Sequence, residues 1–190
     1  MRASDSDFWN KKQPADWTPE EIDRLLRKSP WAKEITPTYT SQPLPGDQRP
    51  WGEIQLPPRL SRQKTIKAPY HAIIRWESAE PIREAQKVAL PVAFGRYHVL
   101  GVSFRLSVPR DLGPRPVEDL KQSAVLVSTR AVDAEIVQVQ SANKNGFLIA
   151  FPKTAAPVGT HLEFSARAGR LALKVTFQAS EMRFHGRLAL

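Results

Sequence analysis

The chain has 190 residues, no cysteine, 17 prolines against nine glycines, and a formal net charge of +9. That length suits one ordinary domain with an appendage and is short for two. The lack of cysteine excludes disulfides, a thiolate nucleophile and any cysteine-held zinc or iron–sulfur centre, and no apolar run approaches the roughly 20 residues of a membrane-spanning helix.

The opening "MRASDSDFW" is polar and acidic where an export signal would be basic and then apolar, so as written it reads as carrying none. "DWTPEEIDRLLRKSPWAKEI" follows, with the marks of a capped helix. Thr18 has the chemistry of an N-cap, Pro19 fits the first turn, and Glu21 stands three residues on to complete a capping box. Acidic Glu20, Glu21 and Asp23 precede basic Arg24, Arg27 and Lys28, which matches the helix dipole. The spacing predicts a helix from Pro19 to Lys28 that stops before Pro30. Its apolar face is only Ile22, Leu25 and Leu26, too little for a short helix to stand alone in water. Phe8, Trp9, Trp17, Trp31 or the downstream domain must cover it. Residues 1–35 are therefore expected to form an N-terminal helical arm, with Trp9, Trp17, Ile22, Leu25, Leu26 and Trp31 contacting either a protein partner or the chain's own domain.

Ten of the 17 prolines lie before residue 70. Residues 36–68 lack apolar periodicity and read as a proline-rich linker. From 69 to 190 the texture alternates, as an antiparallel β-rich domain does. "HAIIRW" (71–76) is expected to be a strand, followed by a helical turn over Pro81–Gln86 with Ser78 as its cap. "RYHVLGVSFRL" (96–106) is a second strand, with Leu100, Val102, Phe104 and Leu106 on one face. "PVEDLKQS" suggests a helical turn, "AVLVS" (124–128) and "AEIVQVQ" (134–140) further strands, and "SANKNG" (141–146) an Asn-Gly turn before the strand "FLIAF". "HLEFSAR" and "RLALKVTF" alternate cleanly and join through Ala168 and Gly169, and "RFHGRLAL" is expected to add a third strand to the same sheet. About eight short strands with a few helical turns give an α+β, mostly β fold, an antiparallel sheet or sandwich-like domain.

Chemistry is sparse in this sequence. The four histidines, His71, His98, His161 and His185, have no local metal-binding spacing, and no nucleophile elbow, phosphate loop or dinucleotide-binding glycine motif occurs. No cofactor or metal is expected. "RWESAEPIREA" gathers Arg75, Glu77, Glu80, Arg83 and Glu84; paired carboxylates there would suit acid–base work, although alternating signs at a strand-to-helix corner read more simply as a solvated ion-pair network. The wet face of the terminal strands would carry Arg167, Arg170, Lys174, Arg183, His185 and Arg187, a surface suited to a polyanion. It has no aromatic ring on which to stack bases.

Three segments, "FWNKKQPADWTPEEIDRLLRKSPWAKEIT", "RWESAEPIREA" and "VTFQASEMRFHGRLAL", resemble an uncharacterised family of small secreted proteins of soil bacteria. Its members share FW.KK, LL..SPWA and RWESA.P..EA motifs and end on an M.Y.GKLEL-like strand. The resemblance implies export to the periplasm or beyond and carries over no activity; the chain's own opening residues suit a cytoplasmic location instead. The sequence thus leads to a non-enzymatic, exported structural or protein-interaction module. The alternatives are a polyanion-binding protein using the basic sheet face and, behind it, a carboxylate enzyme built on Glu77, Glu80 and Glu84.

Overall fold

In the computed structural model, which describes residues 5–40, 66–140, 145–153 and 161–190, the segment after Thr18 is helical for the reason its sequence suggests. Helix α1 spans Pro19–Arg27, with Lys28 as its C-cap. Both arms of the capping box form: Glu21 N–H donates to Thr18 Oγ1 at 3.2 Å and Thr18 N–H to Glu21 Oε2 at 3.0 Å. Two donors that the first turn leaves without carbonyls are thereby satisfied.

Two five-stranded antiparallel sheets make up the body. The first contains β1 (Ala32–Ile35), β3 (Ala72–Trp76), β4 (Tyr97–Phe104), β8 (Gly146–Pro152) and β7 (Ile136–Val139), in the order β1-β3-β4-β8-β7. The second contains β2 (Thr38–Tyr39), β10 (Leu171–Gln178), β9 (His161–Ala168), β5 (Val125–Val127) and β6 (Ala131–Asp133), in the order β2-β10-β9-β5-β6. Along one side β1 continues through residues 36 and 37 into β2. Along the other, β6 continues through residues 134 and 135 into β7. Each pair of edge strands is thus joined by the chain itself.

The core lies between the sheets. Period-two alternation puts Ile74 and Trp76 of β3, Leu100 and Val102 of β4 and Phe164 and Phe177 of the second sheet inside. The rings of Trp76 and Phe177 meet edge-on at 5.9 Å, and those of Phe151 and Phe164 at 6.2 Å. The first sheet is covered outside as well. Leu90, Phe94, Val99 and Ala150 form a small cluster there, and α1 packs beside α2 (Glu80–Gln86) near β1 and β3. Helix α3 (Pro116–Ser123) lies against β9 and β7.

Several expectations change on contact with this architecture. The expected division into a 1–35 arm, a 36–68 linker and a 69–190 domain is not how the described residues pack. Ala32–Ile35 pairs with β3, Thr38–Tyr39 pairs with β10, and Ala68 is buried with its N–H on the Pro37 carbonyl at 2.8 Å. Most of the linker, residues 41–65, lies outside the described residues, as do residues 141–144 of the expected Asn-Gly turn. Ser78 does not cap α2: Ala79 holds that position, and Ser78 Oγ accepts from Val99 N–H at 3.0 Å instead. Leu106 falls beyond the end of β4 and is 89% exposed. The β9–β10 loop is Gly169–Arg170, because Ala168 already pairs with Leu171. The last expected strand is a separate ribbon of β11 (Arg183–Phe184) and β12 (Arg187–Leu188), turning at His185 and Gly186 with positive φ of 47° and 79°. Two successive left-handed residues are what a tight hairpin with matching twist requires.

Candidate functional site

The aromatic side chains of the N-terminal segment are spent on the protein's own core. Trp9, Trp17, Leu25 and Trp31 are buried, while Ile22 and Leu26 are partly buried against the same cluster. Phe8 touches Trp9 and Trp17 edge-on at 5.1 and 5.8 Å, Trp9 meets Trp31 at 5.5 Å, and Trp17 reaches Phe184 of the C-terminal ribbon at 6.2 Å. Trp31 Nε1 donates to the Ala189 carbonyl at 2.7 Å, and His185 N–H to Asn10 Oδ1 at 2.8 Å. Of the two contacts foreseen for this segment, the one described is with the chain's own domain.

The acidic cluster is dispersed. Arg75 donates from Nε and Nη2 to Glu77 Oε1 at 3.0 and 2.7 Å, and from Nη1 to the Leu26 carbonyl at 3.3 Å. Glu77 is a buried residue, 2% exposed, so this pair is not the solvated network the sequence suggested. Its carboxylate lies over Gly101, where a Cβ would come within 2.8 Å of Glu77 Cγ; glycine at this strand position makes room for the buried acid. Glu80 and Glu84 are exposed on α2. The histidines also stay apart: His98 is buried beside Trp76, and His71, His161 and His185 are exposed. Among the described residues, no group of three or more His, Asp or Glu could hold a metal ion.

The basic residues fall into two sets. Arg167, Arg170 and Lys174 are exposed on the second sheet and its β9–β10 turn, where Lys174 pairs with Glu163 at 2.9 Å and the Arg170 guanidinium lies 5.4 Å over the Tyr39 ring. Arg183, His185 and Arg187 belong to the ribbon, so they do not stand on the sheet that carries Arg167, Arg170 and Lys174. The break comes from the turn at His185–Gly186, which removes the third strand from the sheet.

A cleft of about 1220 Å³ opens where the N-terminal segment, α1, β1 and the turn after β10 meet. Its charged lining consists of Lys11, Arg27, Lys28, Lys33, Arg183 and His71 against Asp7, Glu34 and Glu181. Arg27 pairs with Asp23 at 2.7 Å, and Glu34 lies 3.8 and 3.9 Å from His71 and Arg105. Lys11, Lys28, Lys33 and Arg183 have no carboxylate partner among the described residues. Sequence spacing could not find this group, because its members come from four separate segments.

A second polar cluster was equally hidden. Tyr39 and Tyr70 hydroxyls both donate to Asp111 Oδ2, at 3.1 and 2.7 Å. The Asp111 hydrogen bond raises the Tyr70 pKa first and desolvation adds to it; for Tyr39 desolvation leads and Asp111 follows. The arrangement ties β2 and the segment before β3 to the 3-10 turn at Arg110–Leu112. Elsewhere a smaller recess of about 380 Å³ has Leu90, Pro91, Val92 and Leu188 in its lining, with Val92 97% exposed.

Among the described residues no helix is long and apolar enough to cross a membrane. No protein-family model matches the chain, and neither a curated protein nor a solved structure matches it.

Proposed function

We propose that the protein is a non-enzymatic interaction module, exported as its resemblance to secreted proteins implies, whose partner surface is the cleft between the N-terminal segment and the sandwich. One observation carries this reading. The tryptophans that would have made α1 a partner-binding element are packed inside, and the seam they create leaves an open cleft with four basic side chains lacking a carboxylate partner among the described residues. Unpaired charge at an open concavity steers and orients a partner more than it stabilises the fold. Glu77, the one buried acid among the described residues, is engaged by Arg75 and supports no acid–base role.

The test is site-specific photo-crosslinking in the cells that make the protein, with the photoreactive residue placed at Lys33 in the cleft or at Lys174 on the second sheet. Adducts from position 33 that disappear on Arg183→Glu support the reading. Adducts from position 174 alone would move the partner surface to the basic sheet and favour the polyanion alternative, and no adducts at either position would count against an interaction module.

A further inference from the structure

The cleft's occupant is narrowed by the main chain as well as by charge. Strand β1 is the edge of its sheet, and Ala32, Lys33 and Glu34 line the cleft. Trp76 N–H donates to the Trp31 carbonyl at 2.9 Å, and Trp31, Lys33 and Ile35 share that phase of the ladder with β3. Ala32 and Glu34 therefore turn their peptide groups away from β3, since hydrogen-bonded and non-hydrogen-bonded positions alternate in an antiparallel pair. Those of Ala32 are taken by Ser29, at 3.2 and 3.1 Å. Those of Glu34 have no partner among the described residues.

Charge and backbone together exclude some occupants. Asp7, Glu34 and Glu181 are interspersed with the cations and would repel a chain bearing a negative charge on every unit. The large rings of this region, Trp9, Trp17 and Trp31, are buried and offer no face for bases to stack on. An extended polypeptide with acidic side chains meets the same site differently: its carboxylates pair with Lys28, Lys33 and Arg183, and its own amide groups match those of Glu34 in the manner of strand addition.

We infer that the cleft binds an acidic polypeptide segment in extended conformation, laid along the outer edge of β1. This rests on the reading of the cleft as the partner surface and adds the partner's chemistry to it.

A labelled peptide of alternating glutamate and serine, which in extended conformation carries its carboxylates on one face only, titrated into the full chain and followed by fluorescence anisotropy, tests it. Binding should weaken by about tenfold or more in Lys28→Glu/Lys33→Glu, with Arg183→Glu as a second variant should the first fold poorly, and should be unaffected by Lys174→Glu. Methylating alternate backbone nitrogens of the peptide should weaken binding as well, because it removes the main-chain donors. Absence of binding by the glutamate–serine peptide, or equal binding by the cleft variants, overturns the inference. So does binding of polyphosphate or single-stranded DNA as tight as that of the peptide and equally sensitive to the cleft variants, which would make the ligand a simple polyanion. Crosslinks from position 33 without binding of the glutamate–serine peptide would leave the cleft as the partner surface and reject only the acidic partner.

Discussion

Trp31 Nε1 donates a 2.7 Å hydrogen bond to the carbonyl of Ala189, linking residues 158 positions apart in sequence. This bond, with the edge-on contact of Trp17 and Phe184, fastens the N-terminal segment to the C-terminal ribbon. Trp31 is fully buried, so Trp31→Ala should lower unfolding free energy by about 3–5 kcal/mol through lost packing and the cavity left behind. Trp31→Phe keeps most of the ring burial but strands the Ala189 carbonyl, at about 1–3 kcal/mol. Urea denaturation read by circular dichroism measures both, and a loss under 1 kcal/mol for Trp31→Ala would show that the segment is not part of the cooperative unit.

The Arg75–Glu77 pair gives a second expectation. Glu77 is 2% exposed, so Arg75→Met leaves a buried carboxylate without its cation and should cost about 3–5 kcal/mol. Removing both charges, with Arg75→Met and Glu77→Leu together, should cost distinctly less than the sum of the two single changes. Gly101→Ala should also destabilise, since its methyl group would run into the Glu77 side chain. Additive single costs in the double-mutant cycle would contradict the pairing.

His98 sets a pH dependence. Burial lowers its pKa from the ordinary 6.5 to about 4, with Lys153 adding repulsion, and its Nδ1 has no partner among the described residues. The unfolded chain therefore binds a proton that the folded chain refuses between those two values. Stability from this residue is complete above about pH 6.5 and is lost as pH falls toward 4, by on the order of 2–3 kcal/mol. His98→Leu should flatten the stability profile between pH 6.5 and 4 relative to the parent. An unchanged slope would place the acid sensitivity elsewhere.

The capping box supplies a local prediction. Thr18→Ala removes the acceptor for the Glu21 amide and should cost about 1 kcal/mol. Glu21→Ala removes both the reciprocal bond to Thr18 and the 2.7 Å contact with Lys12. Since Lys12 and Thr18 hold Glu21 below the usual carboxylate range, this support is present above that range and fades as pH falls through the lowered pKa. Identical denaturation midpoints for Thr18→Ala and the parent would refute the cap's contribution.

What could be read in the sequence was what neighbours in sequence decide. The Thr18–Glu21 box, the run of β3 and the alternation of β9 and β10 involve residues only a few positions apart, and each stands where the local pattern put it. Strands β2 and β6 span two and three residues, too short for periodicity to register. The terminal ribbon misled because His185–Gly186 reverses the chain without interrupting the alternation, so a hairpin and a straight strand share one pattern. The cleft was out of reach for a different reason: Lys11, Lys28, Lys33 and Arg183 meet only after β1 joins the first sheet and the segment after β10 folds beside it. The Tyr39–Tyr70–Asp111 cluster likewise depends on three segments brought together by the fold.

The most direct measurement is native-state hydrogen exchange of the full chain, comparing amides of Leu25, Leu26 and Lys33 with those of Leu100 and Val102, which pair with β8. If the N-terminal segment is part of the core and the cleft is a permanent feature of the surface, all five should exchange with similar protection, through global unfolding. Exchange of the first three that is orders of magnitude faster, with Leu100 and Val102 still protected, would mean that the segment opens by itself, and would return its tryptophans to the role of partner-binding residues.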